Sequence, residues 1–176
     1  YRSGYDVSLP LAPKHYFHHL AEIAPSDRNY FLTFKGTLYL SKGGSEERLG
    51  IVPLHDEEHG VVMSVHCFEM HKEHLLPANL EYCQTLKDLD AEQDYSTLMN
   101  TTFGLIPAGR SPATYRLAEV MGAGAIPVIV AKDVVLPFRE HFDWPSFSFV
   151  FTPDQVGTSM MGVLRAVPQA QLEEMQ

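Results

Sequence analysis

Basic residues are scarce in this sequence of 176 residues, where 13 Lys and Arg stand against 22 Asp and Glu for a formal net charge of -9. Proteins that bind nucleic acid need clustered positive charge, so the composition argues against a nucleic acid partner. No run reaches the roughly 18 apolar residues that a membrane-spanning helix needs, and no signal-peptide pattern opens the chain. Any phosphate contact must therefore come from a few locally placed basic side chains.

Glycine-rich nucleotide motifs are missing as well. No Gly-x-Gly-x-x-Gly follows a predicted strand, which argues against a nicotinamide cofactor, and no Walker A sequence is present, which argues against a nucleotide hydrolase. What is present is ordinary for one globular domain, with 45% hydrophobic and 20% charged residues.

Cysteine is limited to Cys67 and Cys83, which share a short stretch with His66, His71 and His74. The stretch contains neither C-x-x-C nor H-x-x-x-H, so its spacing matches no recognised zinc finger. Three outcomes stay open: one disulfide between the two cysteines, two free buried thiols, or a zinc site.

Predicted strands and helices alternate along the chain. Strand patterns lie at 30–34, with a turn at Lys35-Gly36, and at 61–65, 103–106, 126–130 and 147–151; helical patterns lie at 45–52, 95–100, after Ser111, at 155–167 and from Pro168 onward. This alternation predicts an α/β fold with a doubly wound, mostly parallel, Rossmann-like sheet over residues 21–176. Residues 1–20 are predicted to be a connector from a preceding domain. Such sheets bind ligands at the carboxyl ends of their strands.

The most informative stretch is residues 101–131, which predicts a strand, a tight turn, a helix and a second strand. Ser111 suits the N-cap position and Pro112 the first helical position, so the turn containing Gly109 and Arg110 is predicted to lead to a helix N-terminus that binds an anion.

Within the predicted helix, Leu117, Ala118 and Met121 form an apolar stripe, while Arg116 and Glu119 share another face. A guanidinium can pair with a phosphate, and a carboxylate can accept hydrogen bonds from two ribose hydroxyls. The pair therefore predicts a nucleotide site.

The order of these motifs resembles the donor-binding half of the exostosin family of glycosyltransferases. The resemblance is carried by Pro107-x-Gly109-Arg110, Tyr115-Arg116-Leu117-x-Glu119, Gly124-x-x-Pro127-Val-Ile-Val and Leu136-Pro137-Phe138, and it extends to residues 2–10, Phe34-Lys35-Gly36 and residues 100–103. Taken together, the motifs cover most of residues 1–150.

The resemblance implies the C-terminal half of a GT-B glycosyltransferase, preceded in the family by a second Rossmann-like domain and a membrane anchor. It implies inverting, metal-independent transfer from a UDP-sugar, with no cofactor, to a heparan-sulfate-type or cell-wall-type glycan, and a Golgi or endoplasmic reticulum location. Donor contacts are expected from Lys35, Arg48, Gly109, Arg110, Ser111, Arg116 and Glu119. No catalytic base is assigned, and the segment alone is expected to transfer nothing.

Two further features fit a secretory lumen. A cysteine pair placed like Cys67 and Cys83 occurs in exostosin-like sequences, and Asn100-Thr101-Thr102 is an N-glycosylation sequon, although sequons also arise by chance. Exostosin-like chains pair with one another, so a homo- or hetero-oligomer is expected. The alternative function is a non-catalytic domain that supports a partner polymerase subunit; retention of both Arg116 and Glu119 favours the enzyme.

Overall fold

The chain folds around a five-stranded sheet in a computed structural model, which describes residues 2, 5–39, 46–68, 94–109 and 113–176. All neighbouring strands run parallel, in the order β2-β1-β3-β4-β5. The strands are β1 (Tyr30–Tyr39), β2 (Val61–Phe68), β3 (Thr101–Pro107), β4 (Ile126–Val130) and β5 (Phe149–Phe151). The predicted bounds of β4 are confirmed, and every residue of that strand is buried.

Helices cover both faces of this sheet. Among the described residues they are α1 (Glu46–Ile51), α2 (Tyr95–Leu98), α3 (Arg116–Gly122), α4 (Thr158–Arg165) and α5 (Gln169–Met175), with short 3-10 helices between them. One core cluster joins Leu105 and Val128 to α4 and α5, and a second joins Ile106 and Ile129 to α3. Because neighbouring residues of a strand point to opposite faces, these clusters are the two layers of a doubly wound sheet. The predicted α/β class is confirmed.

The order in which the chain adds strands to the sheet reverses between β1 and β3. The chain passes from β1 to β2 on one side and then returns across β1 to build β3, β4 and β5 on the other. β1 and β3 pair at three positions, the last being Thr33 with Gly104, whereas β1 continues beside β2 to Tyr39 and β3 continues beside β4 to Pro107. The two strands therefore diverge toward their carboxyl ends and leave a crevice at the switch point, where sheets of this kind bind ligands.

The predicted turn at Lys35-Gly36 is wrong, because β1 continues through both residues and pairs with β2 from Leu32 to Tyr39. Gly36 serves a different purpose. A Cβ built at position 36 would lie 2.8 Å from the Phe34 Cζ atom, so the missing side chain lets the Phe34 ring lie against the backbone two residues further on.

The predicted start of the central helix is also wrong. α3 begins at Arg116, and its N-cap residue is Tyr115; Ser111 and Pro112 lie outside the described residues. The Thr114 hydroxyl accepts a hydrogen bond from the Arg116 N–H at 3.3 Å, a local contact of the kind that competes with helix formation.

The buried stripe of α3 differs from the predicted one. Leu117 and Val120 are buried, whereas Met121 is 44% exposed. A Cβ at Gly104 would lie 2.5 Å from both Val120 methyl carbons, so the glycine lets α3 pack directly on β3 and fixes its rotation. α3 ends at Gly122, and Gly124 has the left-handed φ of 67° that is typical of a glycine just after a helix.

The described part of the predicted connector packs onto the rest of the fold. Phe17 is buried in the second core cluster, and the Ser8 carbonyl accepts a hydrogen bond from the Phe138 N–H at 3.0 Å. At the other end of the chain, the predicted helix after Pro168 is confirmed as α5. No helix among the described residues has the length and hydropathy needed to cross a membrane.

Candidate functional site

The Phe34 ring forms the centre of the candidate site, at the crevice between β1 and β3. The Arg116 guanidinium carbon lies 4.6 Å from the ring centroid, and that of Arg48 lies 5.6 Å from it. Two cations are thus held near one aromatic ring, where the ring quadrupole stabilises each of them. Their mutual repulsion is tolerated best when an anion lies beside them.

Arg48 spans the crevice from α1. Its Nη1 donates to the Thr37 carbonyl in β1 at 2.6 Å, and its Nε donates to the Ala108 carbonyl after β3 at 3.3 Å. A Cβ at Gly109 would lie 2.7 Å from the Arg48 Nη2 atom, so any larger residue there would displace the guanidinium. Gly109 is therefore part of the site through the space that it leaves for Arg48.

Arg116 occupies the first position of α3, between two aromatic rings. Its guanidinium carbon lies 5.2 Å from the Tyr95 centroid in addition to its contact with Phe34. Within the described parts of the chain, the guanidinium has no hydrogen-bond acceptor and forms no salt bridge. Burial lowers the pKa of Arg116, but an arginine stays charged in proteins. The group is a cation whose N–H donors are available to a ligand.

Glu119 lies one turn further along α3 and is buried. Its Oε1 accepts hydrogen bonds from the backbone N–H groups of Lys14 at 3.0 Å and His15 at 3.2 Å, and its Oε2 accepts one from the Tyr95 hydroxyl at 2.5 Å. Burial raises the pKa of Tyr95, and the Glu119 carboxylate adds to this effect. Glu119 does not pair with Arg116. The carboxylate has three partners from the protein itself, and a ribose contact stays a prediction.

Lys35 is turned away from the crevice. Its Nζ donates to the Ser64 hydroxyl of β2 at 3.1 Å, on the side of β1 opposite to β3. Arg110 and Ser111 follow Gly109 directly but lie outside the described residues. Of the predicted donor contacts, the structure thus brings Arg48, Gly109 and Arg116 together.

The predicted modification sites lie elsewhere. Cys67 is near the end of β2, and no cysteine of the described residues is free; Cys83 lies outside them, so the pairing of the two stays a prediction. Asn100 precedes β3 at the amino edge of the sheet, opposite to the crevice. Among the described residues, no group of three His, Cys, Asp or Glu side chains is arranged to hold a metal ion.

A second cavity, of about 250 Å³, lies at the carboxyl ends of β3 and β4. Ile106, Thr114 and Asp133 line it on the side of the domain, and the N-terminal segment closes it with Ser8 and Leu11. Asp133 has the positive φ of 53°, which is uncommon for a residue with a side chain. The cavity adjoins the start of α3, because Thr114 and Leu117 line it.

Sequence reasoning missed two members of the site, Phe34 and Tyr95. For Phe34 a signal exists, because an aromatic residue two positions before a glycine shares its face of a strand and can lie over it. Tyr95 gives no such signal, since its place beside Arg116 depends on how α2 and α3 pack.

The chain is similar to known proteins over most of its length. The family model of the Exostosin GT47 domain matches residues 1–167. The chain is 32% identical to Exostosin-2 of Bos taurus over 177 aligned positions, covering 100% of this chain and 23% of that protein. It is 29% identical to Exostosin-1 of Drosophila melanogaster, covering 95% and 22%, and 31% identical to an Exostosin-1 homolog of Caenorhabditis elegans, covering 83% and 40%.

The chain therefore spans less than half the length of each of these relatives. The five-stranded parallel sheet with helices on both faces is consistent with a GT-B glycosyltransferase domain. With a family model matched over nearly its whole length, the chain belongs to the Exostosin GT47 family.

Proposed function

We propose that this chain is the donor-binding part of an inverting glycosyltransferase that takes a UDP-sugar. The observation that carries the proposal is the pair of arginines at the switch-point crevice, Arg48 and Arg116, held near the Phe34 ring. In a chain with a net charge of -9, two cations at the ligand-binding edge of the sheet are a local exception that suits a diphosphate.

Sugar transfer of this kind requires positive charge beside the leaving group in the transition state. In inverting transfer the acceptor hydroxyl oxygen attacks the anomeric carbon, its proton passes to a base, and the bond from that carbon to the diphosphate oxygen breaks. The leaving UDP gains negative charge in the transition state, and fixed guanidinium groups stabilise that charge. Arg116 contributes N–H donors that bond to no described residue, and Arg48 contributes a cation anchored to both strands. The base is expected to come from outside these residues, and no metal or cofactor is required in this proposal.

The acceptor and the setting follow from the family. The relatives are named exostosins, and we propose a heparan-sulfate-type or cell-wall-type glycan as the acceptor, in the Golgi or endoplasmic reticulum lumen, with another exostosin-like chain as a partner. Because positioning of the acceptor supplies much of the rate enhancement in transfer reactions, the donor part alone should bind nucleotide weakly and transfer nothing.

Calorimetric titration with UDP tests the donor site. Arg116→Ala removes charge-assisted hydrogen bonds worth about 1.5 to 3 kcal/mol, so the dissociation constant should rise roughly tenfold to more than a hundredfold. Arg165→Ala is a matched control, since Arg165 also lies over an aromatic ring, 5.8 Å from the Phe31 centroid, but projects from α4. Equal affinities in the native protein and in Arg116→Ala, with the fold intact, would remove the site from the proposal.

The secretory setting has its own test. Intact-mass analysis of secreted protein with and without reductant should show a two-proton difference that maps to Cys67 and Cys83, because an oxidising lumen favours one bridge. Two thiols that alkylate without reduction would contradict the proposed disulfide.

One observation favours a second candidate, the non-catalytic domain of a polymerase pair. Glu119, the residue predicted to accept the ribose hydroxyls, is occupied by Lys14, His15 and Tyr95. A well-folded protein that binds no UDP but restores the activity of a partner chain would establish that candidate in place of the enzyme.

A further inference from the structure

Tyr95, the first residue of α2, contacts the N-terminal segment, the Glu119 carboxylate and the Arg116 guanidinium. The Asp94 carboxylate accepts hydrogen bonds from the Ser96 N–H at 3.0 Å and the Thr97 N–H at 3.3 Å, and this N-cap fixes the start of α2. The Tyr95 ring makes edge contacts with Phe17 at 5.4 Å and His15 at 5.5 Å between centroids. Its hydroxyl donates to Glu119, so the ring is held both at its edge and at its tip.

The Arg116 guanidinium lies over this fixed ring. A guanidinium that contacts aromatic rings with its face keeps its N–H donors at its edge, where they can reach a second partner. A carboxylate in the place of the rings would occupy those same donors. The two rings, Phe34 and Tyr95, thus hold the cation in place without using its hydrogen bonds.

We propose that Tyr95 is a positioning residue for the donor diphosphate, and that Glu119 acts on the donor through Tyr95. Glu119 and Arg116 lie three residues apart on α3, so the carboxylate that fixes the Tyr95 hydroxyl belongs to the same helix turn as the guanidinium that the ring supports. The inference rests on the proposed function, and it assigns Glu119 a role that needs no ribose contact.

A double-mutant cycle tests this assignment. Tyr95→Leu removes the ring, and UDP should then bind about threefold to tenfold more weakly, which corresponds to the loss of one cation–π contact. The same change in the Arg116→Ala background should have no further effect, because the guanidinium that the ring supports is absent. Tyr95→Phe keeps the ring but loses the hydroxyl that Glu119 fixes, so it should bind UDP more weakly than native protein and more tightly than Tyr95→Leu. Uridine, which lacks the diphosphate, should bind native protein and Tyr95→Leu alike.

The outcomes separate the two proposals. If native protein does not bind UDP, the proposed function fails and this inference fails with it. If native protein binds UDP and Tyr95→Leu weakens binding equally with and without Arg116, or weakens uridine as much as UDP, Tyr95 is a structural residue and the inference is overturned while the donor site stands.

If Tyr95→Leu does not fold, two variants with side chains of nearly the same shape test the role of the ring instead. A ring-fluorinated phenylalanine at position 95 has nearly the size of phenylalanine but lacks the negative ring face that attracts a cation. Compared with Tyr95→Phe, it should weaken UDP binding about twofold to fivefold. Equal UDP affinities in these two variants would overturn the role of the ring.

Discussion

An arginine lies beside each end of helix α3, Arg28 buried and Arg116 partly exposed, and the two differ in the hydrogen bonds that their guanidinium groups donate. At the carboxyl end, Arg28 donates through Nε to the Ile23 carbonyl, through Nη1 to that of Ala123 and through Nη2 to that of Gly124, each at 3.0 Å. At the amino end, Arg116 rests on two rings and donates from its guanidinium to no residue that the structure describes.

The difference separates a structural arginine from a functional one. Burial lowers the pKa of both residues, so the direction of the pKa shift does not distinguish them. The two arginines are distinguished by their hydrogen bonds, since only the Arg116 guanidinium has no acceptor among the described residues, and by their positions relative to the helix dipole. A cation is favoured beside the carboxyl end of a helix, where Arg28 lies, and disfavoured at the amino end, where Arg116 lies. An arginine placed against the dipole with its donors free is expected to serve a ligand rather than the fold.

The largest expected effect is at the carboxyl end. Arg28→Ala leaves three carbonyl groups without their charged donor and should lower the free energy of unfolding by roughly 3 kcal/mol, measured by chemical denaturation. UDP affinity at a temperature where the variant is folded should not change. A loss of stability under about 1 kcal/mol would show that Arg28 is not the structural member of the pair.

A smaller effect is expected from Gly124→Ala. Gly124 has a φ of 67°, and a Cβ there would lie 2.7 Å from the Ala21 carbonyl oxygen and 3.0 Å from the Arg28 Nη2 atom. Backbone strain and displacement of the guanidinium together should cost about 2 kcal/mol in thermal or chemical unfolding.

Gly122→Ala is the matched control. The nearest atom to a Cβ at position 122 is in the His18 ring at 3.7 Å, an ordinary contact, and the residue is helical. This substitution should leave stability unchanged or raise it by about 0.5 kcal/mol. Equal losses in both glycine variants would mean that the Arg28 contact is not what Gly124 protects.

Only a small effect on stability is expected at the amino end. Arg116→Ala removes two cation–π contacts and a charge that opposes the helix dipole, so the free energy of unfolding should change by less than about 1 kcal/mol. The same variant should lose most of its affinity for UDP, as proposed above. A stability loss as large as that of Arg28→Ala would break the comparison, because both arginines would then be structural.

Sequence reasoning predicted the strands better than the site. Continuous apolar runs such as 126–130 are typical of a buried parallel strand, and the structure confirms that strand residue for residue. It failed where a glycine has two explanations. Glycine commonly marks turns, so the sequence predicts a turn at Gly36, although here the glycine makes room for the Phe34 ring inside a strand.

The site was predictable in part. Arg48, Gly109 and Arg116 meet because motifs at the ends of neighbouring parallel strands and their helices converge at one edge of the sheet. The partners of Glu119 were not predictable. Lys14 and His15 are more than one hundred residues away along the chain, and only the packing of the N-terminal segment on α3 brings their backbone N–H groups to the carboxylate.

The short pairing between β1 and β3 divides the sheet into two blocks, β1 with β2 and β3 with β4 and β5, joined by three residue pairs near one edge. A sheet joined in this way has a weak seam, and regions on either side of a weak seam open as separate cooperative units in hydrogen exchange. Arg48, with one hydrogen bond to each block, crosses the seam at its open end. A ligand held by Arg48 and Arg116 together would close the seam, so its binding should slow amide exchange in β1 and β3 together, beyond the residues that it contacts.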